Sequence, residues 1–364
     1  MNDVARLNVT TAEVVMGCAE LNPPLEFFTQ RLGFVIELIF PADDPQTAVI
    51  NGYGVRIRLD RGASTPPGVL VLRCSTLPAG HVSGDWLEAP NGCRIQLIDA
   101  SATMDLPPNA AEFVLMQTGD GGGFGTGRAG MMYRDLIPNR QGGRFIASHI
   151  RIPEGGPVPD YVHYHKVRFQ MIYCHRGWVR VVYEGQGEPF VMYPGDCVIQ
   201  PPEIRHRVLE SSDGLEVVEL GCPAEHETWV DHKLELPNGI DDPMRAWDGQ
   251  TFIRHQAEET PWTDWRHAGF EARDIGIGTA TKGLAGARTV RACQPNANFS
   301  AAYDAEFIFG FVLSGTAKLT CLPHASDVAI STDDAFVIPG ANAFKISECS
   351  ADFEWLDVTL PGSV

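Results

Sequence analysis

Glycine and proline punctuate this chain at short, regular intervals, 37 glycines and 26 prolines in 364 residues, between runs rich in Val, Ile, Phe and Tyr. Many short strands joined by tight turns fold into sandwiches or barrels, so a mainly β chain is expected. One helix stands out, Pro24–Leu32, with Leu25, Phe28 and Leu32 on one face and Gly33 as its stop. The length predicts two or three domains.

Composition narrows the function classes. Acidic residues outnumber basic ones 46 to 28, a net charge of −18. Such a surface repels phosphate backbones and anionic membranes, so nucleic acid and membrane partners are not expected and a small molecule is. No run approaches a membrane span, and the first twenty residues lack a signal-peptide pattern, which makes the cytoplasm the expected compartment. The 9 cysteines include no CxxC pair and read as reduced, mostly buried thiols.

Residues 13–99 read as strand, helix, then strands: Glu13–Ala19, the helix, Val35–Phe40, Ala48–Gly52, Val55–Leu59, Val69–Cys74 and Arg94–Asp99. Leu25-Glu-Phe-Phe-Thr-Gln-Arg-Leu-Gly-Phe34 and Ala89-Pro-Asn-Gly-Cys-Arg-Ile-Gln-Leu-Ile98 resemble signatures of the vicinal oxygen chelate, or glyoxalase-like, superfamily. That resemblance implies paired βαβββ modules, the first complete here and the second truncated, with only about twenty residues between Cys74 and Arg94. The positions where such proteins place metal ligands fall around Glu13 and on Gln96, so no metal is expected there and a packing, dimerisation or lid role is. Further on, Gly125-Thr-Gly-Arg-Ala-Gly130 is a formal GxGxxG match. No helix of sufficient length can follow it before Pro138, so a flexible connector is the better reading than a dinucleotide site.

The chemistry concentrates in residues 144–220. His163 and His165 alternate on one strand and so share a face. Gln170 enters the same interior from the next strand, and His206 follows the turn Pro194-Gly195. Four nitrogen and oxygen ligands without a thiolate suit Fe(II), Mn(II), Ni(II) or Zn(II). The spacing resembles the cupin superfamily. Its first motif, G-x5-HxH-x3–4-E-x6-G, matches from Gly156 to Gly177 with one extra residue and with Gln170 in place of glutamate; its second, G-x5-P-x4-H, matches from Gly195 through Pro201 to His206. The resemblance implies one divalent metal, Fe2+ favoured, held by His163, His165, Gln170 and His206 in a double-stranded β-helix (jelly-roll) barrel. Four neutral ligands leave the ion's charge uncompensated, which favours an anionic, chelating substrate. Tyr161, two residues before His163, is a candidate acid/base, and Arg168 and Arg205 are candidates to meet a carboxylate.

Residues 284–360 repeat the barrel. Aligning Gly315 with Gly177 puts Ala301, Tyr303, Ile308 and Phe344 at the four ligand positions, so this second barrel is expected to be structural. The cluster Cys222-Pro-Ala-Glu-His226 through His232 reads as a connector, and His149 and His175 as ordinary barrel histidines. The expected organisation is a truncated glyoxalase-like α+β module at 1–110, a Gly-rich linker at 111–140, a metal-binding cupin at 141–235, an irregular connector at 236–280 and a metal-free cupin at 281–364. The preferred function is a non-haem Fe(II) dioxygenase acting on a small anionic, chelating acid or phenolic, because a bicupin with one metallated barrel resembles ring-cleaving dioxygenases. A redox-neutral cupin lyase, isomerase or hydrolase of a sugar acid is the first alternative, and a non-catalytic ligand-binding or sensing bicupin the second. Sheet edges that need cover predict a homodimer or larger.

Overall fold

A computed structural model describes residues 8–363 except 19, 32–33, 53, 62, 64–68, 78, 89–93, 101–103, 120–122 and 128–129. The Gly33 stop with Leu32, residues 89–93 of the second glyoxalase-like signature, and Arg128 and Ala129 of the glycine-rich match lie outside the described residues. The described chain is mainly β and divides into two compact units, residues 1–105 with 227–231, and residues 106–226 with 232–364. Among the described residues no helix is long and apolar enough to cross a membrane.

In the smaller unit the strand Asn8–Cys18 runs parallel to Val55–Arg61, followed outward by Thr47–Gly52 and Val35–Phe40. On its other side it pairs antiparallel with Val69–Thr76, which is parallel to Arg94–Asp99; Trp86–Glu88 closes that edge. The helix spans Asn22–Glu26 and continues as a wide π-type turn, Phe27–Arg31. Leu25 and Phe28 pack with Leu21, Ile39, Ile50, Ile57 and Leu59 on one face of the sheet. On the opposite face Glu13 is fully buried and its carboxylate meets Arg56, Arg58 and Arg73 at 3.3–3.5 Å.

The larger unit holds two barrels built to one plan. The first has a back sheet ordered Ile253–His255, Cys197–Ile199, Phe169–Arg176, Leu215–Cys222, Ile146–Ile152, Met132–Asp135, Gly125–Thr126. Its front wall is Phe190–Met192, Val179–Tyr183, His206–Ser211 and His163–His165. The second barrel repeats this with a back sheet from Thr263–Asp264 through Phe270–Asp274, Gly286–Ala292, Glu354–Leu360, Phe307–Ser314 and Ala335–Ile338 to Val114–Met116. Its front wall is Phe299–Ala301, Phe344–Ser347, Thr316–Cys321 and Ala325–Ser331.

The segments read from sequence as linker and connector therefore carry strands. Val114–Met116 joins the second barrel, Gly125–Thr126 and Met132–Asp135 join the first, and Ile253–His255 pairs with Cys197–Ile199. The physical reason is that a sheet edge leaves unpaired backbone groups, and short passing segments satisfy them.

The barrels meet back to back. Alternation sends Phe169, Met171 and Tyr173 outward from the first and Phe307, Phe309 and Phe311 outward from the second, into one shared apolar core. Phe145 and Phe307 stack there with ring centroids 4.0 Å apart. The other face of the same strands lines each barrel interior. The tight turns also repeat. Gly177 and Gly315 both have φ of 73°, and an added Cβ would come within 2.4 Å of Ser212 Oγ and 2.5 Å of Ser350 Oγ respectively. Those hydroxyls accept from the next backbone N–H, Trp178 and Thr316, at 2.9 and 2.8 Å.

Candidate metal centre

His163 and His206 face each other across an antiparallel pair, and His165 follows two residues later on the same side. The three rings are 1%, 6% and 4% exposed for His163, His165 and His206, and their ligand atoms lie within 4.8 Å of one another. Local backbone fixes two of the rings. His163 Nδ1–H donates to the Tyr161 carbonyl at 2.8 Å, and His206 Nδ1–H to the Ile204 carbonyl at 3.0 Å. A carbonyl only accepts, so both rings present Nε2 as the lone pair. Asp160 stands behind His163, 3.6 Å from Nδ1, and accepts the Val208 N–H at 3.0 Å.

Gln170 alternates with the outward Phe169 and Met171, so its side chain enters the barrel. It is fully buried; its Nε2 donates to Glu219 Oε1 at 2.5 Å, and among the described residues its Oε1 has no hydrogen-bond partner. A buried carbonyl oxygen without a partner is costly, and a cation is a partner of the right kind. Three imidazoles and this oxygen fit a borderline divalent ion. Among the described residues the three-histidine group includes no carboxylate.

Two further polar rings stand near the histidines. Tyr161 is half-buried and its ring meets His163 edge-on at 6.2 Å. His226 was read as part of a connector, yet its ring lies 5.4 Å from that of His165. Its Nδ1–H donates to the Pro223 carbonyl at 3.0 Å, which directs Nε2 as the basic nitrogen. No local spacing announces it. Tyr183 stacks on His206 at 5.3 Å and takes a hydrogen bond from Gln200 Nε2 at 2.8 Å; burial pushes its phenol pKa up, so it stays neutral.

Arg168 is placed elsewhere. Its guanidinium spans both oxygens of Glu306 at 3.0 Å, and Arg144 shares that carboxylate. Burial opposes the Arg168 charge, but the hydrogen bond and charge of Glu306 outweigh it and raise the pKa. The expected contact with a bound carboxylate gives way to an ion pair between the barrels. Arg205 lies over the Tyr164 ring at 4.0 Å.

His149 and His175 are likewise not plain barrel residues. His149 bonds Glu216 at 2.9 Å, His175 bonds Asp333 at 2.8 Å, and Arg176 joins both acids. His149, Glu216 and Asp333 cluster closely enough to suggest a cation site, but Arg134, Arg151 and Arg176 supply the positive charge already. Burial works to raise the Glu216 carboxyl, and bonds from His149 and Arg151 overcome it and hold it down to about 2.

In the second barrel the same frame is filled. Ala301 pairs with Phe344 as His163 pairs with His206, and Ile308 sits opposite Thr359 as Gln170 sits opposite Gly221. Ile308 and Phe344 belong to its apolar core with Ala301 and Tyr303 packed against it.

The Cupin domain family matches residues 148–220, which contain all four expected ligands. No curated protein matches the sequence. Among solved structures, this chain is similar to oxalate decarboxylase from Bacillus subtilis at pH 4.6, with 13% identity over 68% of this chain and 76% of that one, TM-score 0.50. It is also similar to the formate complex of Lactobacillus farciminis oxalate decarboxylase, with 13% identity over 70% of this chain and 90% of that one, TM-score 0.50. At that identity the likeness is one of fold.

Proposed function

We propose that this protein is a divalent-metal cupin enzyme that binds a small carboxylate through His163, His165, Gln170 and His206 and performs a redox-neutral, lyase-type reaction on it. The observation that carries the reading is the buried Gln170 Oε1, without a hydrogen-bond partner among the described residues, in the barrel that holds the three clustered imidazoles. When bound, a divalent ion supplies Lewis acidity and positive charge for an anionic substrate. The chain's own residues do the rest. Backbone carbonyls hold the His163 and His206 rings, the walls exclude water through Val181, Tyr183 and Phe252, and protons are held at Tyr161 Oη and His226 Nε2. The structural neighbours are named as oxalate decarboxylases, which supports a small carboxylic acid as substrate class.

An iron-dependent dioxygenase is the second reading. It is favoured by a histidine-rich set to which Fe(II) is suited and by the apolar lining that stacks behind His206. The strand order of the smaller unit, one βαβββ set paired to a shorter one, supports the glyoxalase-like reading of residues 1–110. The assembly proposed is a homodimer or larger in the cytoplasm.

The deciding experiment is metal analysis of protein purified under low oxygen, then turnover of a panel of small carboxylic acids with product and dissolved oxygen followed together. Turnover without oxygen consumption is expected. Oxygen uptake in proportion to substrate would replace the lyase reading by the dioxygenase one, and metal binding with no turnover on any acid would leave a binding protein.

A further inference from the structure

We propose that Glu219 is the positioning residue for the metal-ligating amide of Gln170, fixing which end of that amide faces the histidines. The inference rests on the metal reading above. Glu219 lies on the strand Leu215–Cys222, opposite Ile172, two residues along from the Gln170–Gly221 pair and so on the same face. On that strand Val218, Leu220 and Cys222 face the core shared with the second barrel, so Glu219 faces the interior with Gln170.

An amide is nearly symmetric in shape but not in chemistry. One end carries two N–H donors and the other an acceptor oxygen. Only the oxygen can bind a cation. An ionised carboxylate accepts and never donates, so the 2.5 Å bond from Gln170 Nε2 to Glu219 Oε1 commits the amide nitrogen to Glu219 and turns Oε1 the other way. That oxygen is the one without a protein partner. Glu219 itself is outside the three-histidine group. The negative charge that a glutamate ligand would bring is thus present one hydrogen bond behind the ligand, where it strengthens the amide oxygen as a donor. A neutral side chain at position 219 would leave the amide able to turn over and offer N–H groups to the ion.

The test measures Mn2+ affinity of the whole chain by competition against a chelating dye, together with the electron paramagnetic resonance spectrum of the bound Mn2+. Glu219→Gln should weaken Mn2+ binding about 10–100-fold and alter the spectrum. The exchange Gln170→Glu with Glu219→Gln should restore affinity to the wild-type range, because a carboxylate ligand is then backed by an amide donor. Gln170→Glu alone should bind less well than the exchanged pair, because it sets two carboxylates in contact. Should Glu219→Gln fail to fold, Glu219→Asp, which withdraws the acceptor oxygen but keeps the charge, should also weaken binding. Unchanged affinity and spectrum in the Glu219 variants, or a Glu219→Gln defect that the exchange does not repair, would overturn the proposal. His163→Ala with His206→Ala separates the two readings: if that variant also keeps its Mn2+, the metal centre itself is misassigned.

Discussion

The two barrels of the larger unit share one frame and use it for opposite ends. In the first, interior positions carry His163, His165, Gln170 and His206, and the arrangement leaves Gln170 Oε1 without a partner. In the second, the matching positions carry Ala301, Tyr303, Ile308 and Phe344, and the space closes on itself. A fifth matched position is instructive. Glu219 in the first barrel corresponds to Asp357 in the second, where Arg288 stands 3.3 Å away. Burial raises the Asp357 pKa and Arg288 works against that shift. An acid is kept at this place in both barrels, but in one it orients an amide and in the other it meets a guanidinium within the chain. The difference teaches that a barrel can lose its ligand set and keep its fold, provided apolar volume and a built-in cation replace it.

The sharpest way to break that contrast is to separate the barrels. A chain ending near residue 240 uncovers Phe169, Met171 and Tyr173, each worth about 1.5–3 kcal/mol when fully buried, and removes the strand Ile253–His255. It should be insoluble or aggregated by size-exclusion chromatography. A monodisperse, active fragment would show the second barrel to be dispensable. Next in size, His163→Ala with His206→Ala should abolish metal binding while leaving thermal unfolding cooperative, as read by metal stoichiometry and calorimetry. Phe344→Ala should do the reverse. Its ring is 6% exposed, so truncation should cost about 3–5 kcal/mol in denaturant unfolding, with metal content of the folded fraction unchanged.

The smallest effect concerns the charges between the barrels. The Glu216 carboxyl, ordinarily at 4.5, is held down to about 2, and Asp333 is lowered too. An acid lowered on folding binds fewer protons in the folded state, so its contribution is fully present above the unfolded pKa and is lost as pH falls through that window. His149 is lowered by burial, so below its unfolded value of 6.5 the unfolded state takes up the proton first and stability falls again. The melting temperature should therefore drop steadily on acidification from neutral pH. Glu216→Gln should cost about 1–3 kcal/mol at neutral pH and flatten that dependence.

Much of this was legible in the residues. Periodic glycine and proline announced the strands, and the joint spacing of Gly156, the histidines, Gly195 and Pro201 anticipated that His163, His165 and His206 come together. Gly177 and Gly315 placed the repeat, which the shared φ and the shared serine contacts bear out. Alternation gives the face of a side chain but not what meets it. Arg168 finds Glu306 and Arg176 finds Asp333 across separations of 138 and 157 residues, and no local pattern encodes such pairs. His226 escaped for the same reason. It reaches the centre because the Pro223 carbonyl holds its ring, within a segment that looked like a turn. Short edge strands such as Val114–Met116 escaped because three residues carry too little periodicity to register.

The shared core behind the barrels makes a single strand answer to two kinds of selection. On Phe169–Arg176, even positions face the barrel interior and odd positions face the neighbouring barrel. On Phe307–Ser314 the odd positions likewise carry Phe307, Phe309 and Phe311, while the even positions Ile308 and Val312 pack into an apolar interior. Substitutions there should be tolerated with a period of two, and tolerance at the inward positions should differ between the strands while tolerance at the outward ones should match. The second barrel is thus anchored to the first by its back, and can drift only from within.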